Sequence, residues 1–157
     1  MRKQIIQQHP PVRSFDESNW LDIPTIAQVE LSSEDESYPI EAALSAGGGA
    51  GWRAAEAGKQ TIRIIFDEPQ SIRKIHVEFR ESSGVQRTQE FALSASIRAM
   101  PHPKEIVRQQ YNFNADASVE TENYAVNLDG VTALELVIIP DQNGGNAMAS
   151  LARLRVA

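Results

Sequence analysis

From Ile26 onward, apolar and polar residues alternate in short runs that stop at turn residues, the period-two pattern of half-buried β-strands. In residues 60–66, Ile62, Ile64 and Phe66 share one face, and Thr61 and Arg63 the other. Residues 71–80 repeat this with Ile75, Val77 and Phe79 opposite Lys74, His76 and Glu78, after a turn expected at Glu68-Pro69-Gln70. Residues 87–97 direct Phe91, Leu93, Ala95 and Ile97 inward, and residues 104–113 do so with Val107, Tyr111 and Phe113. Residues 119–128 are more polar and read as a strand near a sheet edge. Residues 131–139 are apolar on both faces, as a central, doubly covered strand would be. Residues 148–157 alternate again, with Ser150, Ala152, Leu154 and Val156 in phase. The helical candidate is a short turn at residues 40–44.

About eight strands at such spacing predict an all-β fold, an antiparallel β-sandwich or jelly roll. Further turns are expected at Ser82-Ser83-Gly84, Asp129-Gly130 and Asn143-Gly144-Gly145. Phe66, Val77, Phe79, Phe91, Leu93, Leu136, Ile138 and Leu154 form the expected core. Residues 1–24 hold three of the eight prolines and little periodicity, and read as an N-terminal arm anchored by Trp20 and Leu21. The sandwich domain then spans residues 25–157, one domain being the default for a chain of 157 residues.

Composition narrows the functions. The chain has no cysteine, which removes disulfides, thiolate metal sites and cysteine nucleophiles, and points to the cytoplasm as its compartment. The N-terminus lacks a signal peptide's apolar stretch, and no run approaches a membrane helix. A net charge of −6 disfavours nucleic acid and anionic membranes as partners.

Catalytic constellations are weak. The run Gly47-Gly48-Gly49-Ala50-Gly51 lacks the Gly-Lys-Ser/Thr continuation of a phosphate loop and reads as a surface loop. His9, His76 and His102 have no partner at metal-ligand spacing, so no metal or cofactor is expected. Glu120 and Glu122 share a strand face, as a glycosidase pair would, but acidic residues guarding a sheet edge explain them as well.

The best cluster is Trp52 and Arg53, beside Arg87 and Gln89, with Tyr111 and Asn112 as further polar or aromatic contacts if the loops converge. An indole face and a guanidinium fork are types that hold polar ligands or protein partners. The alternative stays open: Trp52 plugs one end of the sandwich, and Arg53 or Arg87 pairs with Glu90 as scaffold.

Residues 26–157 resemble the galactose-binding-like, or discoidin-type, β-sandwich superfamily: Ser32-Ser33-x-Asp35 leads into Ala43-Leu44, and Trp52 precedes the strand 60–66 and a proline turn. Locally, Trp52, Arg53, Ala54, Ala55, Ala57, Gly58, Thr61 and Ile62 resemble the amino-terminal domain family of the X-ray repair cross-complementing scaffold protein. The superfamily resemblance implies a non-catalytic module for a carbohydrate or other small polar ligand. The local one implies a protein-interaction scaffold linked to DNA repair, and a hydrolase ranks last. Many sugar-binding members of the superfamily hold a structural calcium ion through first-loop oxygens and a last-strand glutamate. Here Arg153 stands at that place, so a structural calcium is not expected, even with Glu34, Asp35 and Glu36 in the first loop.

Overall fold

The computed structural model describes residues 20–47 and 49–157. Most of the expected arm, His9 and Gly48 lie outside the described residues. Within them the chain runs through α1 (Ile23–Ile26), β1 (Ala27–Leu31), α2 (Glu41–Leu44), β2 (Trp52–Ala57), β3 (Gln60–Arg80), β4 (Arg87–Ile97), β5 (Lys104–Phe113), β6 (Val119–Ile139), β7 (Met148–Leu151) and β8 (Arg153–Val156). The fold is an all-β, antiparallel sandwich. The turn expected at residues 40–44 is α2. The single turn of α1, opened by Asp22 and Pro24, carries no apolar periodicity long enough to be read in advance.

Two strands build both layers. The first half of β3 pairs with β1 and with the second half of β6, which pairs in turn with β4, and β4 pairs with β5. The second half of β3 pairs with the first half of β6 and with β8. Where β3 and β6 pass from one layer to the other, the register shifts between Ile65 and Gln70 and again up to Lys74. The turns expected at Glu68-Pro69 and Asp129-Gly130 are therefore bends inside two long strands, a correction to the pattern reading. Proline lacks an N–H and is tolerated where the ladder is already interrupted. Gly130 takes a φ of 68°, which a bulge accommodates without a Cβ penalty.

The layers meet through their inward faces, with the Phe79 and Phe91 ring centroids 5.1 Å apart. Phe66, Val77, Phe79, Phe91, Leu93, Leu136, Ile138 and Leu154 are all buried, as the alternation predicts. Ile97, Val107 and Tyr111 are half-buried rather than enclosed. Residues 131–139 lie between β3 and β4, the central place expected, and residues 119–128 find ladder partners, among the described residues, in β3 alone, the expected edge. The C-terminal segment departs from its pattern. It splits at Ala152 into β7, paired with β2, and β8, paired with β3, and Ala149 and Leu151 are the buried residues of β7 while Ser150 and Ala152 are half-exposed. At the N-terminal end of the described chain, the Leu21 amide donates to the Val156 carbonyl at 2.8 Å. The Lys74 ammonium stands 4.9 Å from the centroid of the Trp20 ring.

Candidate functional site

β2 carries Trp52 and Arg53 to opposite sides, as successive strand residues must go. Trp52 faces inward, fully buried, and its Nε1 donates to the Ser33 carbonyl at 3.2 Å. It offers no ring face to a ligand, which corrects its expected place in a site and makes it a core residue. Arg53 faces outward, its guanidinium 4.3 Å from the Tyr38 ring centroid. Its backbone is tied to the same loop: Arg53 N donates to Tyr38 O at 3.2 Å and Asp35 N to Arg53 O at 2.9 Å.

The carboxylates of that loop have structural work. Glu34 accepts the Ile40 amide at 2.8 Å and Asp35 accepts the Ser37 amide at 2.9 Å. Among the described residues no three His, Cys, Asp or Glu side chains gather as metal ligands would.

Arg53 stands at a groove that sequence reasoning missed. A depression of about 190 Å³ is lined by Arg53, Glu78, Arg80, Ser82, Ser150 and Arg153, among others. A second, of about 240 Å³, continues from Arg53, Arg80, Ser82 and Ser150 towards Val85, Arg87 and Met148. Long-range pairing assembles them: Arg53 opposes Ser150 across β2–β7, and Glu78 opposes Arg153 across β3–β8. Arg80 reaches Glu78 at 2.9 Å while its side chain stays 61% exposed. Gly51, at φ 80°, lets the chain pass against β7, since a Cβ there would meet the Leu151 carbonyl oxygen and come within 2.8 Å of Ala152 Cα.

The remaining expected residues fall elsewhere. Arg87, 4% exposed, donates Nε to Glu81 at 2.8 Å and Nη1 to Gln89 at 3.1 Å and to the Pro140 carbonyl at 2.7 Å, over the Phe113 ring. Its partner is thus Glu81, while Glu90 pairs with Arg108. Burial opposes ionisation of Glu81, but hydrogen bonds from the Ser83 hydroxyl and from Arg87 outweigh it and hold its carboxyl below the usual range. Gln89 is wholly buried and donates weakly to Glu120 at 3.4 Å. Tyr111 donates to the Val119 carbonyl at 2.9 Å, and exposed Asn112 accepts from Thr88 at 2.8 Å. Arg87 and Gln89 therefore belong to a network between the layers, Tyr111 and Asn112 to β5, and none of these four shares the first depression with Arg53.

Glu120, read as an edge carboxylate, is instead 1% exposed and faces that network. Burial, with the Glu122 carboxylate beside it, pushes its pKa up to about 7 against relief from Gln89 and Arg87. Its Oε2 finds no hydrogen-bond partner among the described residues. Glu122 accepts from Gln109, which accepts the Tyr124 hydroxyl at 2.6 Å. Burial and then the charges of Glu122 and Glu120 push the Tyr124 phenol upward.

Among the described residues, no helix is long and apolar enough to cross a membrane. A family profile described as the XRCC1 N terminal domain matches residues 22–108. Comparison with curated proteins gives no match. Solved structures do match in fold. The family 32 CBM (carbohydrate-binding module) of C. perfringens NanJ, in complex with galactose, is 17% identical with a TM-score of 0.62, over 87% of this chain and 96% of that one. CBM32-3 from a family 31 glycoside hydrolase of Clostridium perfringens is 15% identical with a TM-score of 0.64, over 90% and 98%. The CBM32 of AlyQ, in complex with 4,5-unsaturated mannuronic acid, is 16% identical with a TM-score of 0.57, over 84% and 95%.

Proposed function

This chain belongs to the XRCC1 N terminal domain family, and from that premise we propose that it is a non-catalytic binding module, holding a carbohydrate or other small polar ligand in the groove at Arg53. One observation carries the reading: side chains from β2, β3, β7, β8 and the loop after β3 converge on one polar depression. Guanidinium forks and hydroxyls are the groups that orient a polar ligand. The similar structures with bound galactose or mannuronic acid support a saccharide. Glycan-array screening of the intact chain, followed by calorimetry, tests this. The expected result is a ligand whose binding is lost in Arg53→Ala, and binding indifferent to every groove substitution would sink the reading.

A protein-interaction module is the second reading. It is favoured by Val85 and Met148, 55% and 42% exposed, which line the far end of the second depression as an apolar flank. A pull-down whose capture depends on Val85 and Met148 rather than on the arginines would select it.

A further inference from the structure

The proposed binding site has a charge that its chain does not share. Three arginines, Arg53, Arg80 and Arg153, line the first depression with one acidic residue, Glu78, in a protein of net charge −6. Resting on the binding-module reading, we infer that the groove takes a carboxylate-bearing saccharide of the uronic acid type rather than a neutral sugar.

Four features argue for it. Arg53 has its main chain tied to the 35–38 loop by two hydrogen bonds and its guanidinium stacked on Tyr38 before any ligand arrives, and the stacking spares part of the rotamer freedom that binding would otherwise cost. Arg80 contacts Glu78 through one nitrogen, and a guanidinium has five N–H donors, enough to serve a second carboxylate in the forked geometry that suits it. The hydroxyls of Ser82 and Ser150 provide donors and acceptors for sugar hydroxyls along the same groove. And among the described residues lining either depression there is no aromatic ring on which a neutral hexose face would stack, Trp52 being fully buried.

The missing ring also argues against a nucleic acid. Single strands bind through base stacking on aromatic side chains as well as through backbone charge. An extended polyphosphate would in addition run onto a surface whose overall charge repels it. A ligand with a few separated carboxylates meets the arginines and avoids that penalty. The depressions are also smaller than the ~300–1,000 Å³ of drug-sized pockets, which suits a ring-sized acidic group at one end of a chain.

Calorimetry on the intact protein at about 50 mM salt tests this with four probes: a uronic acid trisaccharide, the same trisaccharide with its carboxyls reduced to alcohols, inorganic phosphate, and a short single-stranded oligonucleotide. The uronide should bind about tenfold or more tighter than its reduced form, as expected when a charge-assisted hydrogen bond is lost, and should weaken as salt rises. Arg53→Gln and Arg80→Gln should each weaken the uronide by about tenfold with the urea midpoint unmoved, the midpoint excluding misfolding as the cause. Equal binding of the uronide and its reduced form would overturn the acidic preference and leave the saccharide site standing. Binding of neither would overturn both readings. Phosphate or the oligonucleotide binding as tightly as the uronide would overturn the assignment to a sugar acid.

Discussion

Arg53 and Arg87 both line the second depression, yet their surroundings have little in common. Arg53 lies on a tyrosine ring with its fork towards solvent, whereas Arg87 lies on a phenylalanine ring and spends its donors on Glu81, Gln89 and a backbone carbonyl. The two cation–π distances are nearly equal, 4.3 and 4.4 Å. Burial and the number of satisfied donors, not residue type, separate a side chain that can recognise something from one that holds two layers together. That contrast can be broken in either direction by substitution.

The largest effect is expected at Arg87. Arg87→Ala leaves Glu81, Gln89 and the Pro140 carbonyl without their shared donor, and should destabilise the fold by about 3–5 kcal/mol in urea unfolding. A loss below about 1 kcal/mol would mean that the network is solvated and that Arg87 belongs with the groove after all.

Glu120 comes next. Its native pKa near 7 lies above the ordinary 4.5, so the folded state binds this proton more tightly than the unfolded chain does. The corresponding stability is complete below about pH 4.5 and is lost as pH rises through about 7, to a total on the order of 1–3 kcal/mol. Unfolding midpoints at about pH 5 and about pH 8 should therefore differ less in Glu120→Gln than in the parent. Equal pH dependence in the two proteins would remove Glu120 as its source.

A smaller loss is expected at Gly51, beneath the groove. Gly51→Ala forces a side chain into a left-handed conformation against β7 and should destabilise by about 1–2 kcal/mol. The same substitution at Gly144, also left-handed but with open space around it, should cost less, so matching losses would show that the approach to Leu151 is not what requires glycine at position 51. The least effect on stability belongs to Arg53→Ala, within about 0.5 kcal/mol, with ligand binding lost. A large fall in its urea midpoint would make Arg53 scaffold like Arg87.

The alternation of Ile62, Ile64 and Phe66 and of Val77 and Phe79 was legible because a period of two is local and assigns each side chain a face. The continuity of β3 through Pro69 was not, since whether a proline ends a strand or bends it depends on the neighbouring strand, here a β6 that bends at Gly130 as well. The same limit hid the groove. Arg53 stood out beside Trp52, but Arg80 sat in the outward phase of its strand and Arg153 had meaning only as the residue in place of a calcium ligand. Nothing local says that Ser150 will lie opposite Arg53 or Arg153 opposite Glu78. Arg87 and Gln89 looked like ligand contacts for the converse reason: polar residues on an inward phase are read as functional until the buried acid they serve, Glu120, is known.

The continuity of β3 and β6 bears on how the protein assembles. Their ladder runs from Gln60 with Ile138 to Arg80 with Val119, so even its closest pair must close a long loop before any bond forms. Closure entropy is then met early and repaid late, which places folding in the slow, millisecond-to-second range of non-local β topologies. Because the same two strands run through both layers, neither layer has a seam along which to detach, and the molecule should open as one cooperative unit, with the amides of β3 and β6 exchanging last.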